Sequence, residues 1–141
     1  MKRWLEQGGG KLAKRPRPTP HGDPEVIIAW NVESLTKRSR DDIVAFVERE
    51  APDVLFLSEV KLKKGQTLDL GLDYEVHYSL ADWKYAGTAV FLRRGGPYPS
   101  EILYDLNGAN GMDGRCILLR FESFWLLHTY SPNNGFDQRG F

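Results

Sequence analysis

Cysteine is nearly absent from this 141-residue sequence, which contains a single one, Cys116. One cysteine excludes a disulfide within the chain. With only three histidines, the chain also has no Cys/His cluster of the kind that binds zinc. A protein without disulfides fits a reducing, intracellular compartment. Cys116 itself is expected to be buried and inert.

Long apolar runs are also missing. No stretch approaches the roughly 20 apolar residues that a membrane helix requires. The N-terminus also lacks the apolar segment that is typical of a secretory signal. We therefore expect no membrane partner. A length of 141 residues with 41% hydrophobic residues is sufficient for one globular domain with a core.

Positive and negative charges balance over the whole chain, but they are unevenly distributed. Residues 1–22 contain six Lys or Arg and one Glu, together with many Gly and Pro. We predict that residues 1–23 form a disordered basic arm, which either contacts phosphate or is only a solvated tail. The basic cluster at 14–18 is a weak nuclear address, so we expect an intracellular protein in the nucleus, with an organelle as the alternative.

Residues 24–141 begin with a strand–helix–strand pattern and continue with strand patterns alone. Apolar runs at 25–30 and 53–59 predict two strands, with an amphipathic helix between them. The second run is apolar enough to be buried on both faces. Further strands, two of them joined as a hairpin, are predicted at 74–80, 87–94, 101–106, 115–121 and 124–130. The segment 74–80 alternates and is expected to have one solvent-facing side. The fold class is therefore α/β with a mixed sheet.

Two polar residues stand at the ends of the first two strands. Asn31 follows the first strand and Glu59 follows the second, where an uncompensated charge is costly. If the two strands are parallel neighbours, their carboxyl ends meet at one edge of the sheet, where ligands bind in α/β proteins. Amide and carboxylate oxygens at this edge suit Mg²⁺. Spacing alone leaves an alternative open, in which Glu59 pairs with Lys61 or Lys63 and Asn31 only turns the chain.

Several blocks occur together and in order: IIAWNVESL, APDVLFLSEVKL, YAGTAVFL and GRCILLRFESFWLLHTYSPNNG. Over residues 25–135 they resemble the front half of the exonuclease III-type abasic-site endonucleases, in the endonuclease/exonuclease/phosphatase superfamily. The resemblance implies the front half of a four-layered, deoxyribonuclease I-like α/β sandwich. It also implies hydrolysis of the phosphodiester 5′ to an abasic site in duplex DNA, as in base excision repair. The implied cofactor is Mg²⁺, with Mn²⁺ as an alternative.

The resemblance implies roles for seven residues. Asn31 matches the residue that organises the metal, and Glu59 matches the metal ligand. Tyr130 and Asn133 match active-site residues at the scissile phosphate, where fixed donors stabilise developing negative charge. A structural alternative exists for each, such as a core position for Tyr130 or a turn position for Asn133. The remaining three match contacts to the DNA backbone: Lys61, Tyr85 and Arg115.

The sequence departs from the family pattern near the metal. Glu33 and Ser34 stand where the family usually has Asp or Asn followed by Gly. Ser58 and Val60 stand where relatives carry Gln and Thr, and the loss of these donors is expected to loosen the support of the metal. His128 lies within an apolar strand and is expected to be a core histidine.

The family's later segments, Gly-Asp-x-Asn and Ser-Asp-His, have no counterpart in the sequence. The final strand is apolar, yet no later segment is available to cover it. We therefore expect the chain to be the N-terminal part of the domain, with an incomplete activity. Two alternatives remain open. One keeps the fold with RNA or phosphoinositide as substrate. The other is a non-catalytic protein that binds nucleic acid through residues 1–22, with strong salt dependence.

Overall fold

The computed structural model describes residues 21–37, 40–81, 87–104 and 114–131. Its elements lie where the sequence predicts them. In chain order they are β1 (Ile27–Asn31), α1 (Arg40–Glu50), β2 (Val54–Ser58), β3 (Tyr74–Ser79), β4 (Thr88–Arg93), β5 (Glu101–Leu103), β6 (Cys116–Arg120) and β7 (Trp125–Thr129). Most of the predicted basic arm, residues 1–20, lies outside the described residues. Within the described ranges, no helix has the length and apolar character needed to span a membrane.

The strands form two sheets. The first has the order β1-β2-β4-β3, in which β1 and β2 are parallel and the other pairs are antiparallel. The second has the order β5-β6-β7 and is antiparallel. Because β1 and β2 are parallel with Asn31 opposite Ser58, their carboxyl ends meet at one edge of the first sheet, as predicted.

The helix α1 packs against one face of the first sheet. Ile43 and Val47, one turn apart, are buried in one cluster with Leu55, Leu57 and Phe91. The other face packs against the second sheet through β2, β4 and β6. This inter-sheet core contains Val54, Phe56, Val90, Leu92, Ile117, Leu119 and Phe121. β2 is therefore buried on both faces, which confirms the prediction from its unbroken apolar run.

The outer face of the second sheet is exposed among the described residues. Leu103, Trp125 and Leu127 lie on this face and are 42%, 48% and 45% exposed. Cys116 lies on the same outer face of β6, which is why it is half-buried and not buried as expected.

A buried carboxylate fixes the start of the two parallel strands. Asp53 is 2% exposed. One of its carboxylate oxygens accepts hydrogen bonds from the backbone N–H groups of Glu25 and Val26, at 2.8 and 2.9 Å. The other pairs with the guanidinium of Arg93 at the end of β4. These contacts hold β1 against β2 and so determine where Asn31 arrives at the opposite edge.

β3 differs from its prediction, because neither of its faces is fully exposed to solvent. Tyr78 packs with the core cluster beneath α1, and its hydroxyl bonds to the backbone of Leu68 in the loop that follows β2. On the other face, the Glu75 carboxylate bonds to His77 at 2.8 Å and to the Tyr98 hydroxyl at 2.6 Å. The alternation in the sequence therefore reflects two partly covered faces.

Candidate metal and phosphate site

The Glu59 carboxylate contacts three other predicted site residues at the shared edge of the two sheets. Asn31 Nδ2 donates a hydrogen bond to Glu59 Oε1 at 3.1 Å. Tyr130, directly after β7, donates its phenolic hydrogen to the same oxygen at 2.9 Å. The ammonium group of Lys61 lies 3.6 Å from Glu59 Oε2. The structure thus brings together four of the seven residues that the resemblance singled out, and it also contains the ion pair of the alternative interpretation.

The side chain of Asn31 has a fixed orientation. Its Oδ1 accepts a hydrogen bond from the backbone N–H of Glu33 at 3.0 Å, so the amide turns its N–H toward Glu59. In this geometry Asn31 supports the carboxylate by donating to it. A direct bond from Asn31 to the metal stays a prediction.

The loops that carry the site contain backbone strain. Glu33, Glu59 and Lys61 have φ values of +58°, +54° and +53°, in the left-handed region that favours glycine. This conformation costs roughly 1–2 kcal/mol for each such residue. The intervening Val60 is held by its N–H bond to Gly87 O at 3.1 Å, and a Cβ at Gly87 would lie 2.8 Å from the Val60 side chain. Strain that neighbours enforce in this way is common at functional sites.

The electrostatics of the site favour an ionised carboxylate beside a protonated phenol. The hydrogen bond from Asn31, followed by those from Tyr130 and Lys61, lowers the pKa of Glu59 below its ordinary value. Burial and the adjacent Glu59 carboxylate raise the pKa of Tyr130 to about 12. At neutral pH the site therefore offers an anionic carboxylate for a cation, beside a phenol whose hydrogen is donated to that carboxylate.

A second basic residue lies next to Tyr130. The backbone N–H of Tyr130 bonds to Arg115 O at 2.8 Å, and the Arg115 charge acts to lower the phenol pKa, against the larger raising effects. A contact from Arg115 to phosphate stays a prediction. Tyr85 and Asn133 lie outside the described residues, so their predicted roles are not tested.

The residues fit a hard cation such as Mg²⁺. Mg²⁺ usually binds through one or two carboxylates and keeps several waters. Glu59 supplies one ionised carboxylate with a partly exposed side chain, oriented by Asn31. Within the described ranges, no group of three or more His, Cys, Asp and Glu side chains assembles as a metal centre. Glu59 is the residue that would hold the ion.

Two polar residues behind the site are hydrogen-bond partners, although nothing in the sequence pairs them. Ser58 Oγ lies 3.0 Å from His128 Nε2, across the inter-sheet core. His128 is buried, as expected of a core histidine, and burial lowers its pKa. The Ser58 hydroxyl, at the end of β2, therefore has a hydrogen-bond partner in the second sheet. The residues are 70 positions apart, and no sequence signal joins them.

A comparison with protein-family models matches residues 28–140 to the Endonuclease/Exonuclease/phosphatase family. The chain belongs to this family. The resemblance based on the sequence blocks is thereby confirmed. The exodeoxyribonuclease of Bacillus subtilis (strain 168) is 32% identical over 111 residues, which cover 77% of this chain and 43% of the relative. The DNA-(apurinic or apyrimidinic site) endonuclease of Dictyostelium discoideum is 34% identical over 116 residues, covering 77% of this chain and 30% of the relative.

Solved structures of this family share the fold. The 3′ phosphatase NExo from Neisseria, bound to a product DNA hairpin, superposes with a TM-score of 0.62 at 22% identity, covering 76% of this chain and 42% of that one. An AP endonuclease from Archaeoglobus fulgidus gives a TM-score of 0.61 at 20% identity, covering 74% and 40%. The predicted deoxyribonuclease I-like fold is confirmed. The chain spans less than half the length of these relatives, consistent with the front half of that fold.

Proposed function

We propose that this family member acts in Mg²⁺-dependent hydrolysis of a phosphodiester at abasic sites in duplex DNA, a reaction of base excision repair. The observation that carries the proposal is the convergence of Asn31 Nδ2 and the Tyr130 hydroxyl on Glu59 Oε1, at 3.1 and 2.9 Å. The activities after which the relatives are named, AP endonuclease and exodeoxyribonuclease, support this substrate class.

Each residue has a separate proposed task. Glu59 would hold Mg²⁺, or Mn²⁺ in its place, and such an ion polarises a phosphoryl oxygen in hydrolytic sites. Asn31 keeps the Glu59 carboxylate in one orientation. Tyr130 is protonated at neutral pH, and its hydrogen is proposed to turn from Glu59 to a phosphate oxygen as negative charge develops on that oxygen. Asn133 is proposed as a second donor to the same phosphate.

The DNA backbone would be positioned by the basic side chains around this site. Lys61 and Arg115 flank the Glu59–Tyr130 pair and are proposed to contact phosphates, which orient a duplex without reading its sequence. Tyr85 is proposed to lie along the backbone. The basic cluster at 14–18 supports a nuclear location, which we also propose.

A second candidate function is nucleic-acid binding without hydrolysis. Residues 1–22 carry six Lys or Arg, and no three metal-ligating side chains assemble within the described ranges. This candidate requires a binding affinity that falls steeply with salt and disappears when residues 1–22 are removed.

An incision assay separates these functions. A duplex oligonucleotide with one tetrahydrofuran abasic analogue is incubated with the full chain and Mg²⁺. Cleavage 5′ to the analogue should vanish with EDTA and in Glu59→Gln, but persist in the control Glu50→Gln at the exposed end of α1. Cleavage that survives Glu59→Gln would refute the assignment.

Other results of this assay have distinct meanings. Binding of the duplex that falls steeply with salt and disappears when residues 1–22 are removed would favour the second candidate. Parallel reactions with poly(A) and with a phosphoinositide test the family's other substrate classes.

A further inference from the structure

A polar contact crosses the apolar core directly behind the candidate site. Ser58 is the last residue of β2 in the first sheet, and His128 lies on β7 in the second. Their Oγ and Nε2 atoms are 3.0 Å apart, and the residues are only 7% and 9% exposed. The imidazole also stacks on Phe56, with ring centroids 4.7 Å apart and planes inclined by 13°.

This contact adjoins the site along both strands. Glu59 is the next residue after Ser58, and Tyr130 is two residues after His128. Glu59 and Tyr130 are themselves joined across the same two sheets, at 2.9 Å. The two sheets are thus connected at this edge by two successive hydrogen bonds, one buried and one at the site surface.

We propose that Ser58 and His128 are a positioning pair, which holds the two sheets in the alignment that places the Glu59 carboxylate against the Tyr130 hydroxyl. This inference rests on the proposed function, because it concerns the support of that site. It assigns neither residue a contact with substrate or metal.

The physical reason is the difference between apolar and polar packing. Apolar packing between sheets is non-directional, so it tolerates small shifts of one sheet over the other. A buried hydrogen bond is directional, and a buried polar atom that loses its partner is costly. Glu59 depends on such support because its backbone is in the left-handed region, with φ +54°, and is held there only by its surroundings.

Four variants of the full chain test the proposal. Ser58→Ala and His128→Leu remove the hydrogen bond, and leucine retains an apolar side chain against Phe56. His128→Gln keeps a polar group near the Nε2 position. The control is Thr88→Val, because Thr88 is the buried partner of Ser58 in the β2–β4 register and its hydroxyl has no hydrogen-bond partner in the described structure.

The first measurement is the Kd of each variant for Mn²⁺, determined by electron paramagnetic resonance. Loss of residues that orient metal ligands commonly weakens metal binding by about 10- to 100-fold. We expect a loss of about 10-fold or more, by the same reasoning, in Ser58→Ala and His128→Leu. His128→Gln should restore most of the affinity, and Thr88→Val should match the wild type. Equal affinities in all four variants would overturn the proposal.

The second measurement does not depend on metal. In the metal-free chain, nuclear Overhauser contacts between the Tyr130 ring and the Glu59 side chain report whether the pair is aligned. They should be lost in His128→Leu and kept in His128→Gln and Thr88→Val. If the wild type shows these contacts but binds no Mn²⁺, the proposed function fails while the positioning role is still decided by His128→Leu. Contacts that persist in a folded His128→Leu protein would refute the positioning role alone.

Discussion

Ser58 and Thr88 are paired neighbours on one face of the first sheet, and we expect their hydroxyls to have opposite effects on stability. Both are buried, at 7% and 0% exposure. The Ser58 hydroxyl is bonded to His128 at 3.0 Å. The Thr88 hydroxyl is buried without a hydrogen-bond partner in the part of the chain that the structure describes. Removing each hydroxyl therefore has a different consequence.

Ser58→Ala leaves the His128 nitrogen buried and unpaired, which should lower the free energy of unfolding by about 1–3 kcal/mol. Thr88→Val preserves the branched shape and removes a polar group that pays its desolvation without a bond. The free energy of unfolding should therefore be unchanged or rise by about 1 kcal/mol. We expect the two variants to differ by roughly 2 kcal/mol, from the same magnitudes.

Urea unfolding followed by circular dichroism measures both effects. The comparison is valid when every variant keeps the wild-type slope of unfolding free energy against urea concentration. A change in the unfolding midpoint then reports a change in stability. A Thr88→Val protein destabilised by more than about 1 kcal/mol would show that its hydroxyl makes a favourable contact. A neutral Ser58→Ala would show that the bond to His128 contributes nothing, and either result would refute the reasoning.

Three further predictions follow from buried and perturbed groups. Asp53→Ala removes the buried carboxylate that pairs with Arg93, and it should lower the free energy of unfolding by about 3–5 kcal/mol. Urea titration measures this loss, and a loss below about 1 kcal/mol would contradict the role of the ion pair. Burial holds the pKa of His128 below its ordinary value of 6.5, so the unfolded chain binds more protons as pH falls from 6.5 toward the folded-state pKa. Stability should therefore decline across that range, and the decline should be smaller in His128→Gln when unfolding is measured at several pH values. Tyr130 should titrate at a pKa of about 12, and Glu59→Gln should lower the pKa of Tyr130 toward 10.0. The ¹³C shift of the labelled phenol measures both pKa values, and an unmoved pKa would exclude the hydrogen bond between Tyr130 and Glu59.

The order of the elements and the edge that carries the site were predictable from local patterns. β2 is buried on both faces, and this requires an unbroken apolar run, which is visible in the sequence. The parallel pairing of β1 and β2 follows from the intervening helix, and it places Asn31 and Glu59 at one edge without any knowledge of distant contacts.

The contacts between the two sheets were not predictable from pattern. The bond from Tyr130 to Glu59 joins residues 71 positions apart, and that from Ser58 to His128 joins residues 70 apart. Such pairings depend on how two sheets superpose, which hydrophobic periodicity does not encode. The resemblance supplied Tyr130, but it gave no partner for His128.

The orientation of the site residues also required the structure. Asn31 turns its N–H toward Glu59 only because Glu33, in a left-handed conformation, donates to its oxygen. Non-glycine residues rarely adopt this conformation, so the sequence gives no sign of it.

The most direct test of the site is to locate where a divalent cation binds in the full chain. Mn²⁺ broadens the nuclear magnetic resonance signals of nearby amides, so a titration maps the ion onto the structure. We predict selective broadening at Asn31, Glu59 and Tyr130, and its loss in Glu59→Gln. Broadening centred elsewhere, or unchanged by Glu59→Gln, would contradict the account of this edge as a metal and phosphate site.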